Sequence, residues 1–232
     1  MSIVFIVSAP SGSGKSTLVN ELFKMVHGLD FSISYTTRAP RGSEKNGKEY
    51  FFVSEAEFKA MIAAGEFLEY AKVFGTDGDY YGTARRFLRE SEERGHDLLL
   101  DIDVQGAAQV KEKLPDAVSI FILPPGRKQL EWRLRSRGLN SEAEIDRRLD
   151  TARREIENYS KYDYILVNDE IERSADELKA IVLSERIIRS GKTATAEDSG
   201  SLKTAEACRL EQARKQVQPI LASFGAVPVR TS

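Results

Sequence analysis

The sequence predicts an α/β fold in which a parallel sheet carries helices on both faces. Short apolar runs typical of buried strands occur at residues 3–7, 98–102, 118–123 and 164–167, each followed or preceded by helical sequence. A glycine-rich segment also follows the first run and leads into a helix at residues 17–26. Because strands that alternate with helices usually pair in parallel, a sheet covered on both faces is the expected architecture.

Composition limits the classes of function that the chain can have. Its 232 residues are 41% hydrophobic, enough for a sizeable core, and the formal net charge of −2 gives no general attraction for nucleic acid or an anionic membrane. The single cysteine, Cys208, cannot form an internal disulfide, which fits a reducing compartment. We therefore expect a cytoplasmic protein, monomer or homodimer, with no nucleic acid and no membrane among its partners.

A phosphate-binding loop is predicted at the glycine-rich segment, which reads Ala9, Pro10, Ser11, Gly12, Ser13, Gly14, Lys15, Ser16 and Thr17. Its glycines let backbone N–H groups turn towards phosphate oxygens, and the start of the next helix adds partial positive charge. Lys15 would reach the β- and γ-phosphates, and Ser16 would offer its hydroxyl to Mg²⁺. Ala9 replaces the usual first glycine, which the loop tolerates if φ there is negative. The sequence thus predicts a P-loop NTPase fold that binds a nucleoside triphosphate.

The region from residue 31 to residue 82 is too long for a simple crossover, so we expect an inserted subdomain. Arg38, Arg41 and Tyr50 give it two guanidinium groups and a phenol, which suit a second phosphate. Glu69 could accept hydrogen bonds from both N1–H and the 2-amino group of guanine, a donor pair that adenine lacks. Taken singly, Arg38 and Arg41 could equally belong to a solvated loop, and Glu69 could be a strand-edge charge that points to water.

Two acidic residues, Asp101 and Asp103, follow a predicted core strand at its carboxyl end, where α/β sheets place their ligand sites. Asp101 is in a position to hold Mg²⁺ or its waters opposite Ser16. An acidic turn without function is the alternative for this pair taken alone.

Two helices are predicted between residues 126 and 159, and a capping box of Ser141 and Glu144 opens the second. They carry many arginines and few apolar residues, so we expect a mobile flap that stands off the core. Arg133 and Arg137 share one face of the first helix, and Arg148 lies on the second. Arginines on a closing flap would neutralise a transferring phosphoryl group and exclude water, although they could also be an ordinary solvated face.

Eight segments of the chain, in this order, resemble the bacterial type of the guanylate kinase family. They are residues 9–16, 34–41, 49–53, 67–69, 80–83, 100–106, 133–138 and 167–169. The match runs from about residue 3 to residue 189, and ordered agreement of several motifs is specific. The resemblance implies a nucleoside-monophosphate kinase that moves the γ-phosphoryl group of ATP to GMP, with Mg²⁺ as cofactor and ADP and GDP as products.

The same resemblance implies roles for individual residues. The guanine ligands that it implies are Ser34, Glu69, Thr83 and Asp103. The ligands that it implies for the GMP phosphate are Arg38, Arg41, Tyr50 and Tyr81. The residues expected to act on the transferring phosphoryl group are Lys15, Arg133, Arg137 and Arg148, with Asn168 near the adenine. One departure affects this transfer of roles, because the loop at residues 75–80 is longer than is usual in the family.

The domain organisation that follows is a guanylate-kinase-like domain over residues 1–189 and a tail over residues 190–232. The expected core comprises residues 1–33, 83–125 and 160–189, with a GMP-binding subdomain at about 34–82 and a lid at about 126–159. Apolar residues at helical spacing predict a packed closing helix over residues 174–188. After residue 189 the composition favours a flexible linker through Thr204 and then a short helix at residues 205–217.

Two other functions are compatible with parts of this pattern. A different small-molecule kinase could share the phosphate-binding loop, but Glu69 and Asp103 favour guanine as the acceptor base. Guanylate-kinase-like domains of scaffolding proteins bind peptides without catalysis, and they usually lack an intact phosphate-binding loop. Lys15 and Ser16 are both present here, which favours the enzyme.

Overall fold

The structure is a computed structural model that describes residues 2–72, 78–136, 141–191 and 193–225. The chain groups into two compact units. Unit 1 comprises Met1–Ile6 and Gly28–Val118, and unit 2 comprises Val7–His27 and Ser119–Ser232. The phosphate-binding loop therefore belongs to unit 2, and the residues predicted to bind GMP belong to unit 1.

The bounds of the regular elements are as follows. The strands are β1 (Val4–Ser8), β2 (Leu29–Phe31), β3 (Tyr35–Thr36), β4 (Phe51–Phe52), β5 (Phe67–Lys72), β6 (Tyr80–Ala84), β7 (Asp97–Asp101), β8 (Val118–Leu123) and β9 (Tyr164–Val167). The helices are α1 (Lys15–Met25), α2 (Glu55–Ala63), α3 (Arg86–Arg94), α4 (Val104–Lys113), α5 (Arg127–Ser136), α6 (Glu142–Ile156), α7 (Ile171–Ser190), α8 (Asp198–Cys208) and α9 (Leu210–Ser223). In the described part of the chain, no helix has the length and apolar character needed to cross a membrane.

The main sheet is built from the apolar runs of the sequence. Strand β1 passes through both units, with the order β2-β7-β1 in unit 1 and β1-β8-β9 in unit 2. The pairs β2–β7 and β8–β9 are parallel, and Ile120 lies opposite Tyr164 in the second pair. Strands β1, β8 and β9 are buried along their whole length, which explains why they are apolar except at Ser8 and Ser119. The predicted α/β fold with a parallel sheet is confirmed.

Unit 1 also contains a second, mixed sheet with the strand order β4-β3-β6-β5. Strand β3 is parallel to β4, whereas β6 is antiparallel to both β3 and β5. An aromatic cluster covers this sheet, because the ring of Phe58 on α2 stacks on Phe67 at 4.4 Å and on Tyr80 at 5.2 Å between centroids. These elements lie in the segment predicted to be an inserted subdomain, except that β6 continues past residue 82 to Ala84.

The predicted capping box of the second flap helix is present at the start of α6. The Ser141 N–H donates to a carboxylate oxygen of Glu144 at 2.8 Å. The prediction that the two flap helices stand off the core was wrong. Leu130 and Leu134 of α5 are buried, and so are Ile145, Leu149, Ala152 and Ile156 of α6. These few apolar residues recur at intervals of three and four, so they form one continuous face on each helix.

The tail also differs from the prediction. Helix α7 confirms the predicted closing helix, except that Ile188 is 53% exposed. The predicted linker was wrong from Asp198 onwards, because α8 begins there and α9 runs to Ser223. Helix α8 packs against α7 and buries Ala205 and Cys208. The small polar residues of this segment dominate its composition and obscure the few positions that face α7.

Candidate active site

The phosphate-binding loop connects β1 to α1 within unit 2. Gly12 and Gly14 have φ angles of +93° and +88°, which residues with a side chain rarely adopt. The Ser13 N–H donates to the carbonyl of Pro10 at 3.1 Å and closes a turn that contains Gly12. The strand, loop and helix therefore have the arrangement in which backbone N–H groups can receive phosphate oxygens.

Asn168, which follows β9, packs against this loop. Its side-chain Nδ2 donates to the carbonyl of Ser13 at 2.6 Å, and a Cβ atom placed on Gly14 would lie only 2.3 Å from the same nitrogen. Asn168 is 1% exposed, and its Oδ1 has no hydrogen-bond partner among the described residues. The structure thus assigns Asn168 a contact with the loop backbone, and its predicted place beside the adenine stays a prediction.

Arg133 of α5 is the flap arginine that reaches the phosphate-binding loop. Its guanidinium donates to the carbonyl of Asn168 at 2.8 Å and to that of Ser13 at 3.3 Å. Burial lowers the pKa of Arg133, and the neighbouring Asp169 opposes this effect. A guanidinium stays charged at physiological pH, so these contacts hold a positive charge beside the loop.

The remaining residues predicted for the donor site lie on the same unit. Lys15 and Ser16 form the first turn of α1, and Ser16 and Thr17 are exposed there. Arg148 lies half-buried on α6. Arg137 lies outside the described residues.

In unit 1, the residues predicted to hold the base gather around Glu69. This residue is 4% exposed, and the pairing of β5 with β6 places it directly opposite Thr83. The Thr83 hydroxyl is also buried. A Cβ atom on Gly106 would lie 2.7 Å from Glu69 Oε2, so α4 approaches the carboxylate closely. A buried carboxylate and a buried hydroxyl side by side can accept hydrogen bonds from a polar ligand.

The buried position changes the acidity of Glu69. Burial raises the pKa of its carboxyl group from 4.5 to about 7, and the charge of Asp103 acts in the same direction. Hydrogen bonding to Thr83 lowers the pKa more than Asp103 raises it, and Lys113 lowers it further, but burial remains the largest effect. A ligand that donates hydrogen bonds to the carboxylate would favour its charged form.

Asp103 begins helix α4 and has a structural role of its own. Its Oδ1 accepts hydrogen bonds from the backbone N–H groups of Gln105 at 3.0 Å and Gly106 at 2.8 Å. Both of these capping bonds use Oδ1 and fix the orientation of the carboxylate. Asp101, the predicted Mg²⁺ ligand, is half-buried at the end of β7.

Arg38 is buried in a polar cluster that sequence reasoning only partly predicted. Its guanidinium forms a bidentate pair with Glu44, with both N–O distances at 3.0 Å, and its Nε donates to the Tyr81 hydroxyl at 3.1 Å. A fourth hydrogen bond from this guanidinium goes to the carbonyl of Ala39 at 2.7 Å. The same Glu44 carboxylate accepts the backbone N–H of Arg41 at 2.7 Å. The hydrogen bond from Arg38 lowers the pKa of Glu44, so the pair is charged at neutral pH.

Two tyrosines complete this cluster. The rings of Tyr50 and Tyr81 meet edge to face at 5.8 Å, and the Arg38 guanidinium lies 5.4 Å from the centre of the Tyr50 ring. Burial raises the pKa of Tyr50. Three of the four predicted phosphate ligands are thus in contact, and Arg41 is exposed on the adjoining loop. Ser34 is half-buried just before β3, and its carbonyl accepts the Phe51 N–H at 2.9 Å.

Known proteins resemble this chain over most of its length. The chain is 60% identical over 224 residues to the guanylate kinase of Koribacter versatilis, which covers 95% of each chain. It is 48% identical over 186 residues to the guanylate kinase of Salmonella typhi, covering 79% of this chain and 88% of that one. The crystal structure of guanylate kinase from Anaplasma phagocytophilum aligns with a TM-score of 0.64 and 31% identity, over 95% of this chain and 96% of that chain. The family model described as guanylate kinase matches residues 1–185. The chain belongs to the guanylate kinase family.

Membership of the guanylate kinase family confirms the predicted enzyme class, a nucleoside-monophosphate kinase. It also confirms the predicted P-loop NTPase fold, and it favours neither of the two alternative functions. The roles of individual residues and the boundaries of core, subdomain and lid are not tested by these relationships and stay predictions.

Two details of this guanylate kinase could not be read fully from its sequence. The partnership of Arg38 with Glu44 was missed, although a glutamate three residues after Arg41 was a signal for it. The longer loop at residues 75–80 left the placement of two residues open. Residues 73–77 lie outside the described part of the chain, but Tyr81 and Thr83 are in regular register on β6.

Proposed function

We propose that this guanylate kinase transfers the γ-phosphoryl group of ATP to the phosphate of GMP and releases ADP and GDP. The observation that carries the choice of acceptor is the buried carboxylate of Glu69 opposite the buried hydroxyl of Thr83. Guanine offers N1–H and an amino group on one edge, so one carboxylate accepts from both. Adenine would leave the carboxylate without those donors, which is costly in a buried site.

The GMP phosphate is assigned to the cluster of Arg38, Tyr50 and Tyr81 together with Arg41. In this assignment Arg38, held by Glu44, keeps the two phenols in place, and the exposed guanidinium of Arg41 contributes a further positive charge. Ser34 and Asp103 complete the contacts to the base, and Oδ2 of Asp103 is the oxygen that does not serve as helix cap.

ATP is assigned to unit 2, where the backbone of the phosphate-binding loop receives the β- and γ-phosphates. Lys15 contacts these phosphates, and Arg133, Arg137 and Arg148 neutralise charge on the transferring group. A GMP phosphate oxygen forms a bond to the γ-phosphorus while the bond from that phosphorus to the β–γ bridging oxygen breaks. ADP takes the electron pair of the broken bond.

Mg²⁺ is assigned to the hydroxyl of Ser16 and to Asp101 or its waters. Within the described residues, no group of three or more histidine, cysteine or acidic side chains could hold a metal ion by itself. The two donors Ser16 and Asp101 suit Mg²⁺, because this ion keeps several waters and binds mainly through one or two protein groups and substrate phosphates. When bound, the ion supplies positive charge to the phosphate oxygens.

ATP and GMP are the expected partners, in the cytoplasm, with the enzyme as a monomer or homodimer. The expected domain organisation is a core with a GMP-binding subdomain at about residues 34–82 and a lid at about 126–159. Neither nucleic acid nor a membrane is an expected partner.

Transfer is tested with ATP labelled in its γ-phosphate. In the presence of GMP and Mg²⁺, we expect the label to appear in GDP and very little in inorganic phosphate. Release of the label mainly as inorganic phosphate would show hydrolysis instead and would overturn the proposal.

A further inference from the structure

Helix α5 lacks a cap of its own at its first turn. It follows Gly126, whose carbonyl accepts the Leu130 N–H at 3.1 Å but which has no side chain to accept a hydrogen bond. The first turn also contains no acidic residue. The first N–H groups of a helix have no partners within the helix, so they must be satisfied from elsewhere.

The tail supplies this cap. The backbone N–H of Arg127, the first residue of α5, donates to the hydroxyl oxygen of Ser223 at 3.0 Å. The Ser223 hydroxyl in turn donates to the carbonyl of Ile220 at 2.7 Å, which fixes its orientation on α9. Serine is one of the best capping residues, and here it caps a helix that lies 96 residues earlier in the chain.

The position of Ser223 is itself well determined. Helix α9 packs against β9. The Leu210 N–H at the start of this helix donates to the carbonyl of Asp163, just before the strand, at 3.1 Å. Val217 and Leu221, in the C-terminal half of this helix, are buried. A cavity of about 500 Å³ opens beside Ser223 and is lined by Arg127 of α5 and Arg153 of α6 among others.

The other part of α5 contacts the phosphate-binding loop. A Cβ atom on Gly12 would lie 3.0 Å from Leu130 and 2.9 Å from Leu134, so these two side chains pack directly on the loop. Arg133 donates to the carbonyls of Ser13 and Asn168 from the same helix. Helix α5 therefore connects the tail at one end to the phosphate-binding loop along its length.

We propose that Ser223 is a positioning residue for phosphoryl transfer, acting through α5 on Arg133. The Ser223 hydroxyl fixes the start of α5, and this sets where Leu130, Leu134 and Arg133 meet the donor loop. The inference rests on the proposed function, because it assigns ATP to that loop. It gives the tail, which lies beyond the matched residues 1–185, a part in the reaction.

The test compares Ser223→Ala with Ser223→Thr and with Ser199→Ala. Ser199 is a matched control, since it is exposed like Ser223 and its hydroxyl also donates to a carbonyl three residues earlier, at 2.6 Å, but it lies on α8. For Ser223→Ala we expect kcat/KM for ATP to fall about fivefold, the effect of about 1 kcal/mol for one lost cap. KM for GMP should not change, and threonine, which keeps the hydroxyl, should restore most of the loss.

A second measurement does not depend on turnover. Trp132, the single tryptophan of the chain, is 69% exposed on α5 next to Arg133, so its fluorescence can report ATP binding at this helix. Its ATP titration midpoint should rise about fivefold in Ser223→Ala and remain at the wild-type value in Ser199→Ala.

Equal changes in KM for ATP and GMP, or constants for Ser223→Ala that match those of Ser199→Ala, would overturn the positioning role. A wild-type protein without ADP formation would instead contradict the proposed function. In that case the Trp132 titration would still test whether Ser223 sets the ATP response of α5, so the two failures can be told apart.

Discussion

At the scale of single residues, Glu69 is the side chain that we propose selects the acceptor nucleotide. Its carboxylate is buried, faces Thr83, and is approached closely by α4 at Gly106. A site built to accept two hydrogen bonds discriminates strongly against a partner that lacks the donors. In this proposal, the choice of guanine depends on one carboxylate and on the strand register that places it.

Replacing Glu69 by glutamine should raise KM for GMP about 10- to 100-fold, because the amide accepts only through its oxygen and turns a donor towards the donors of guanine. Steady-state kinetics with ATP held at saturation measure this. Glu66→Gln, a change at an exposed neighbour, is the matched control and should leave KM close to the wild-type value. An unchanged KM in Glu69→Gln would remove Glu69 from the base site.

The raised pKa of Glu69 predicts a pH dependence of GMP binding. With a pKa of about 7 in the free enzyme, the carboxylate is increasingly protonated as the pH falls below 7, so kcat/KM for GMP should decrease there. The Glu69→Gln variant should lack this component of the pH profile. A wild-type profile that stays flat between pH 5 and about pH 8 would contradict the assignment.

The same shift has a consequence for stability without nucleotide. A raised pKa means that the folded state binds the proton more tightly than the unfolded state, so the contribution of Glu69 is full below about pH 4.5 and is lost as the pH rises through 7. Thermal unfolding should therefore show Glu69→Gln gaining stability relative to wild type between pH 5 and about pH 8. A relative loss over this range would have the wrong sign.

Lys15→Ala should lower kcat about 100-fold or more, because the lysine is assigned to the ATP phosphates and the transferring group. Calorimetric titration with GMP alone should give a wild-type dissociation constant, since the GMP residues belong to unit 1. Lys24→Ala, on the same helix and paired with Glu21, should behave as wild type in both measurements. Turnover of Lys15→Ala close to wild type would refute the assigned role.

Residues could be predicted from the sequence where the chemistry is local. The phosphate-binding loop is contiguous, so the positive φ of Gly12 and Gly14 follows from residue types and spacing. The contact of Asn168 with that loop joins residues 155 positions apart and depends on how β9 is placed. No local sequence pattern predicts such a contact, and the family resemblance implied only that Asn168 lies near the adenine.

At the scale of helices and strands, short apolar runs were the most reliable guide. Strands β8 and β9 begin and end at the residues that the sequence indicated, because burial on both faces favours apolar residues at every position except Ser119. The tail was predicted less well. Its division into α8 and α9 at Arg209 follows from a long-range contact, since Arg209 forms a bridge to Tyr164 of β9.

Arg209 should also anchor the tail energetically. It pairs with the buried Glu185 at 3.2 Å, and Glu185 accepts a hydrogen bond from the Tyr164 hydroxyl at 2.6 Å. Arg209→Ala leaves that carboxylate with fewer partners, so we expect the free energy of unfolding to fall by about 1–2 kcal/mol, a value reduced by the partial exposure of Arg209. Chemical denaturation measures this, with the exposed Arg214→Ala as control. Equal stability of the two variants would contradict the anchoring role.

At the scale of the whole molecule, the two substrates are assigned to different compact units. Unit 2 contributes the phosphate-binding loop, α5 and the tail, and unit 1 contributes Glu69, Thr83 and the Arg38 cluster. The enzyme class follows from family membership, whereas the choice of acceptor is argued from the buried carboxylate in unit 1. A measurement of acceptor specificity therefore tests both the enzyme class and the role of the buried carboxylate.

The most direct test is a coupled assay of ADP production with ATP, Mg²⁺ and one acceptor at a time, GMP, dGMP, AMP or UMP. GMP should be turned over rapidly, dGMP should be accepted to some extent because it has the same base, and AMP and UMP should give rates near background. Turnover of AMP comparable to that of GMP, or no turnover with any acceptor, would contradict the central claim.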